Sequence, residues 1–266
     1  MTVELSRRRD HLRGNRRMIL GRALVGTALA TVPLPLVDDY LVEVTLGSGY
    51  RRIARTRHVD VDDRAVAGLV HGRTQARSWT KTAVFGIASR VLSRTWLRAL
   101  AALATAQRAR AAARTYVTMT LFDHYCARHH VGAGLDGERA LVVRDVIAAA
   151  IAATPGALSF EPFRRGAALA ARAALRALLE LADLASGGRL RGWLDRRRDV
   201  AEPEAVTALE QAIEAEMAGQ DGFFARAVTA IELQLSADTN PYLDAVLDRF
   251  DALWAARASA SPGGSP

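Results

Sequence analysis

Apolar residues recur along most of this chain at the three- and four-residue spacing that places them on one side of a helix. Near the carboxyl end, for example, Val206, Leu209 and Ile213 share a helix face. Proline and glycine separate such segments, and aspartate or asparagine precedes several of them as a helix N-cap. The pattern predicts an all-α fold, a multi-helix bundle of short capped helices without a β-sheet.

The least polar segment lies near the start of the chain. Residues 18–37 carry a single charge, Arg22, and a Pro-Leu-Pro sequence at 33–35 interrupts them. Because a residue that precedes proline is pushed out of the helical region, we expect one helix to end here and a second to begin at Asp38. The first helix, of about 16 residues, would be about 24 Å long, which is short for a bilayer crossing. We call residues 17–56 the apolar hairpin.

Composition shifts along the chain suggest a domain organisation. The start is polar and arginine-rich, and the end consists of small residues. We expect a basic flexible arm at 1–14, a helical domain at 15–200, a three-helix segment packed on it at 201–258, and a disordered tail at 259–266.

Two stretches of the sequence resemble each other. Residues 50–59 end in His-Val and precede an acidic residue that begins a helix, and residues 125–131 do the same. A duplication would explain the likeness, but in a chain so rich in arginine and alanine the sequence favours chance similarity.

The formal net charge is +8, and all but one of the 36 basic residues are arginine. A GC-rich coding sequence accounts for this bias, and attraction to the phosphates of lipid or nucleic acid is the functional alternative. The absence of a helix-turn-helix and the scarcity of aromatic residues argue against nucleic acid. The candidate basic surface consists of Arg16, Arg17, Arg90, Arg94 and Arg98.

The apolar hairpin is the candidate contact surface. Its apolar residues would face a membrane lipid or a helix of a partner protein, and the basic arm beside it would favour the cytoplasmic side. The candidate contact residues are Ile19, Leu20, Leu24, Val25, Leu29, Leu34 and Leu36. Exposure of residues 18–37 would indicate a membrane or a partner, and burial would indicate a scaffold core.

The densest group of reactive side chains lies at 123–130. On a helix Asp123, Cys126 and His130 share a face, and their side chains are types that zinc accepts. A structural zinc site needs a fourth ligand, and no multi-cysteine framework accompanies these three. Histidines near a helix carboxyl end are also favoured by the helix dipole. The sequence therefore assigns no cofactor and no catalytic residue, and it leaves the three as weak metal candidates.

Residues 15–20 contain a twin arginine followed by an apolar segment, which is typical of an export signal. Arg22 interrupts that segment, and the chain continues directly into a capped helix. A single cysteine, Cys126, also fits a reducing compartment. We expect the cytoplasmic face of the membrane, or the cytoplasm, with export as the alternative.

The hairpin with its proline corner at 33–35, the aspartates at 38 and 39 and the helix end at 50–60 resemble two helical families. One is the EcsC-like family, and the other is the helical domain appended to some bacterial small GTPases. The resemblance covers residues 17–70 and loosely 110–130. It implies membrane association and no known catalysis. The chain departs from the pattern because it has no GTPase domain and lacks the glycine after the aromatic residue near the end of the second helix.

These features lead to a non-enzymatic helical protein associated with the cytoplasmic side of a membrane. One alternative is a soluble helical scaffold or protein-interaction module. A second is a metal-dependent enzyme that uses the 123–130 cluster. The sequence does not specify an oligomeric state.

Overall fold

The computed structural model describes residues 10–29, 37–73, 94–158, 228–229 and 241–260. After a 3-10 helix at Asp10–Leu12, the helices are α1 Arg13–Leu29, α2 Val37–Thr56, α3 Asp63–His71, α4 Arg94–Arg128, α5 Gly137–Ala152 and α6 Pro241–Ala260. Two short strands, β1 Asp60–Val61 and β2 Gly134–Leu135, pair in parallel. The all-α prediction is confirmed, and this two-residue pairing is the only strand structure in the part of the chain that is described.

Helix α4 lies at the centre of the bundle. Helices α1, α2, α5 and α6 all pack against it, and every residue from 119 to 126 is buried. A helix surrounded in this way is expected to be apolar on all sides. Residues 119–126 nevertheless include Thr120, Asp123 and His124. Because buried polar groups need hydrogen-bond partners, these side chains mark the place where a site should be sought.

The apolar hairpin forms part of the core. Its first helix, α1, packs against both α2 and α4, and this buries Ile19, Leu20 and Leu24. The one charge in the apolar segment is buried as well: the guanidinium of Arg22 donates hydrogen bonds to the Ser48 hydroxyl and to a main-chain carbonyl of α2. The described side chains of α1 therefore bury their apolar side against α2 and α4, and two hydrogen bonds to the neighbouring helix hold the arginine.

A glycine allows α2 to approach the central helix closely. A Cβ atom placed on Gly49 would lie 2.7 Å from Cε of Met119. Real Cβ atoms do not approach other atoms so closely, so a larger residue at this position would force the terminal methyl group of the buried Met119 to move.

The two similar stretches of sequence adopt the same local structure. Each consists of a helix end, a turn, a two-residue strand, an aspartate N-cap and a helix. Asp62 caps α3 by accepting a hydrogen bond from the Ala65 amide, and Asp136 caps α5 by accepting one from the Arg139 amide. The strands pair with each other and α3 packs against α5. This order and pairing favour a duplication over chance similarity.

The folded part of the chain begins before the end of the flexible arm that the sequence predicted at 1–14. Residues 10–14 already belong to the fold, because Leu12 is buried in the core and α1 begins at Arg13. At the other end, α6 packs on α4 and α5 through Leu243, Val246 and Phe250. The proline corner at 33–35, most of 201–240 and residues 261–266 lie outside the described residues.

Candidate functional site

The buried polar residues of α4 meet groups from both ends of the chain. The 3-10 helix and the start of α1 approach from one side, and α6 approaches from another. Two connected groups of side chains result. One is centred on Asp123, and the other, which we call the histidine–aspartate cluster, consists of His11, His124, His129 and Asp251.

Asp123 is fully buried and forms a bidentate ion pair with Arg57. Its two carboxylate oxygens accept hydrogen bonds from Nε of Arg57 at 2.7 Å and from a terminal guanidinium nitrogen at 3.1 Å. Asn15 donates a third hydrogen bond to the same carboxylate, at 2.9 Å. The hydrogen bond to Asp123 raises the pKa of Arg57. A buried carboxylate that accepts three hydrogen bonds is a structural anchor. Arg57 links this anchor to the 3-10 helix, because its guanidinium also donates to the main-chain carbonyl of His11.

In the histidine–aspartate cluster, a single carboxylate oxygen joins two imidazoles. Oδ1 of Asp251 lies 2.7 Å from Nε2 of His124 and 2.6 Å from Nε2 of His129. The other ring nitrogen of His124, Nδ1, lies 3.0 Å from Nε2 of His11. The side chains become more exposed across the cluster, from 7% for His124 to 22% for His129 and 42% for Asp251. The cluster is thus closed on the α4 side and open to solvent on the α6 side.

The electrostatics favour a neutral imidazole on His124 and an ionised Asp251. Burial lowers the pKa of His124 and outweighs the opposing effect of Asp251. Burial alone would raise the pKa of Asp251, but the hydrogen bonds with His124 and His129 reverse that and leave it below its ordinary value. Both imidazoles then donate Nε2–H to the carboxylate, and Nδ1 of His124 accepts from His11.

Aromatic rings form one wall of the cluster. The ring of Phe250 lies 6.1 Å from that of His124 and 5.8 Å from that of His129, between centroids, and Trp254 lies 6.2 Å from His129. Both aromatic residues belong to α6, on either side of Asp251 in the sequence. They shield one side of the imidazoles from water, which strengthens the polar contacts between them.

The structure separates the three metal candidates chosen from sequence. Asp123 is committed to Arg57 and Asn15. Cys126 is buried, and burial raises the pKa of its thiol, which opposes the thiolate that a metal needs. Nδ1 of His130 lies 3.4 Å from the Tyr125 hydroxyl. The ligand atoms of these three side chains do not converge on one point, so they do not form a ligand set.

A different trio converges instead. The ligand atoms of His124, His129 and Asp251 all lie within 4.8 Å of one another. Helical spacing did not select this pair of histidines, because they are five residues apart and His129 lies in the turn that follows α4. Asp251 lies 122 residues beyond His129, and no local pattern in the sequence connects them.

The structure describes the side chains of only some of the candidate contact and basic residues. Ile19, Leu20 and Leu24 are core residues, so they offer no contact surface in this conformation. Arg17 is exposed and Arg16 is half-buried. The remaining candidates, of which no side chain is described, are Val25, Leu29, Leu34, Leu36, Arg90, Arg94 and Arg98. Within the described ranges, no helix has both the length and the hydropathy to span a membrane.

No protein-family model, no curated protein and no solved structure matches this chain. The resemblance to EcsC-like proteins and to the GTPase-appended helical domain therefore stays a prediction.

Proposed function

We propose that this protein is a non-enzymatic helical scaffold whose apolar hairpin forms its core. The observation that supports this proposal is the burial of Ile19, Leu20 and Leu24 between α2 and α4. An apolar surface used for a membrane or a partner would be exposed in the isolated chain. Side chains that are already buried contribute to stability instead, by about 1.5–3 kcal/mol each relative to exposure.

The buried polar groups support the same proposal. Asp123 and Arg57 are paired with each other, and their remaining described contacts hold Asn15 and the main chain of His11. Asp251 holds α6 to the end of α4. These contacts join the two ends of the chain to one central helix, which is the role expected of structural anchors.

Membrane association is the competing proposal, and it now depends on the corner of the hairpin. The candidate residues there, from Val25 to Leu36, include no described side chain. A short apolar corner could touch a lipid surface while the rest of the hairpin remains buried in the fold.

A pair of substitutions distinguishes the two proposals. Leu20→Asp places a charge in the core, and Leu36→Asp places one at the corner. If the hairpin is a scaffold core, Leu20→Asp unfolds the protein by circular dichroism, and Leu36→Asp does not move folded protein between cell fractions. The unaltered protein should elute as one species in gel filtration without detergent.

The opposite pattern would contradict the scaffold. Unaltered protein would remain in the membrane fraction through an alkaline carbonate wash, and Leu36→Asp would release it. A folded Leu20→Asp variant would also contradict a core role for α1.

A further inference from the structure

We propose that His124, His129 and Asp251 bind one divalent transition-metal ion of the zinc class. The ligands would be Nε2 of each histidine and a carboxylate oxygen of Asp251. This site goes beyond the scaffold proposal, which rests on the hairpin and holds with or without a metal.

The three ligand atoms lie within 4.8 Å of one another, so side-chain adjustments would let them share one ion. Zinc bonds to nitrogen and oxygen are about 2.0–2.2 Å long, so ligand atoms around a tetrahedral ion lie roughly 3.3 Å apart. The carboxylate oxygen of Asp251 is 2.7 and 2.6 Å from the two imidazole nitrogens. It must therefore move outward by about 0.6 Å, and its side chain is 42% exposed on the open side of the cluster.

The ligand types indicate the class of metal. Two imidazoles and one carboxylate suit zinc, iron(II), cobalt or nickel, whereas magnesium and calcium prefer oxygen ligands alone. Copper(I) prefers sulfur, and the thiol of Cys126 is not among the converging ligand atoms. Three protein ligands leave a fourth position, and the exposure of Asp251 directs that position towards water.

His11 would act as a positioning residue for this ion. When Nε2 of His124 binds a metal, the proton of that imidazole resides on Nδ1, which lies 3.0 Å from Nε2 of His11. His11 then accepts this hydrogen bond and fixes the orientation of the His124 ring. The main chain of His11 is itself held by Arg57, which Asp123 holds in turn.

The test uses the untagged full-length chain, stripped with EDTA and titrated with zinc chloride by calorimetry and with cobalt(II) by visible absorption. We expect one ion per chain. His129→Ala and Asp251→Asn should each weaken binding by about 100-fold or more, because each removes or weakens one ligand. His130→Ala, the neighbouring histidine, and Cys126→Ser should bind zinc like the unaltered protein.

The positioning role of His11 has its own variants. His11→Ala should weaken zinc binding by about 10–100-fold, and His11→Gln, whose amide oxygen still accepts a hydrogen bond, should restore most of it. The cobalt(II) spectrum should change with His11→Ala and recover with His11→Gln. Equal affinities and spectra for all three proteins would overturn the role of His11 and leave the metal site intact.

The site itself has clear contrary outcomes. No saturable binding of zinc or cobalt by the unaltered, folded protein would mean that the cluster is a hydrogen-bonded clasp only. Undiminished binding by folded His129→Ala or Asp251→Asn, or loss of binding in Cys126→Ser, would place any metal elsewhere. Either result overturns the proposal, and neither affects the hairpin test of the scaffold.

Discussion

Nε2 of His124 and Oδ1 of Asp251 lie 2.7 Å apart, although 127 residues separate them in the sequence. The contact joins the buried end of α4 to the exposed side of α6. The same carboxylate oxygen also contacts His129, so one side chain of α6 holds two imidazoles. Whether this oxygen accepts two hydrogen bonds or binds a metal ion together with the imidazoles, it ties α6 to the centre of the fold.

Removal of this carboxylate should loosen α6. Asp251→Ala deletes two charge-assisted hydrogen bonds, and partial exposure keeps their contribution to about 1–3 kcal/mol in the free energy of unfolding. Asp145→Ala is the matched control, because its ion pair with Arg73 is exposed on both sides and contributes less than about 1 kcal/mol. Urea unfolding measures both variants, in EDTA. Equal losses of stability would show that Asp251 has no special structural role.

The ion pair at Asp123 should be far more sensitive to loss of one partner. Arg57→Met leaves a fully buried carboxylate without its counter-charge, and we expect a cost of about 3–5 kcal/mol. Arg57→Met combined with Asp123→Asn should recover part of this loss, because no charge remains buried. As a control, Arg51→Met breaks an exposed pair with Asp63 and should cost less than about 1 kcal/mol. Additive effects of the two changes at Arg57 and Asp123 would contradict the pairing.

Two glycines of the first two helices should respond in opposite ways to alanine. Gly49→Ala places Cβ against the side chain of Met119 at 2.7 Å, and the overpacking should destabilise the protein by about 1–3 kcal/mol. Gly14→Ala meets no atom within 4 Å and should stabilise α1 by about 0.5–1 kcal/mol through helix propensity. Thermal unfolding compares them. A stabilising Gly49→Ala would indicate that the end of the Met119 side chain moves aside at little cost and that the contact does not require glycine.

Alkaline pH should reveal the burial of Tyr50. Burial raises the pKa of Tyr50 from 10.0 to about 12. Because the folded-state pKa is the higher one, the stability that comes from keeping the Tyr50 hydroxyl protonated is fully present below pH 10. It is lost as the pH rises to about 12. The loss amounts to about 3 kcal/mol in the free energy of unfolding. Tyr50→Phe should have a flatter stability profile over this range, and an identical slope in both proteins would count against the shift.

If the histidine–aspartate cluster binds zinc, the ion should stabilise the folded protein. At a free zinc concentration of about 100 times Kd, the expected gain is about 2.7 kcal/mol, or a rise in Tm of about 5 °C or more. EDTA should reverse the rise, and magnesium should not produce it. Asp251→Asn provides the control, and an equal rise in that variant would assign the effect to another site.

Local features of this protein follow from its sequence alone. The caps at Asp62 and Asp136, for example, depend on residues within a few positions, and the helices that follow them, α3 and α5, are present. Helix propensity and capping act over one or two turns, so neighbouring residues suffice to determine them.

The environment of each helix depended on the tertiary structure. Leu20 is equally apolar whether it faces lipid or a protein core, and only the packing of α1 against α4 showed that it is buried. The histidine–aspartate cluster likewise depended on the tertiary structure. The sequence indicated the segment 123–130, but the turn after Arg128 and the arrival of α6 selected His124, His129 and Asp251. Contacts between residues more than a hundred positions apart arise from the packing of whole helices, and no local pattern encodes where those helices meet.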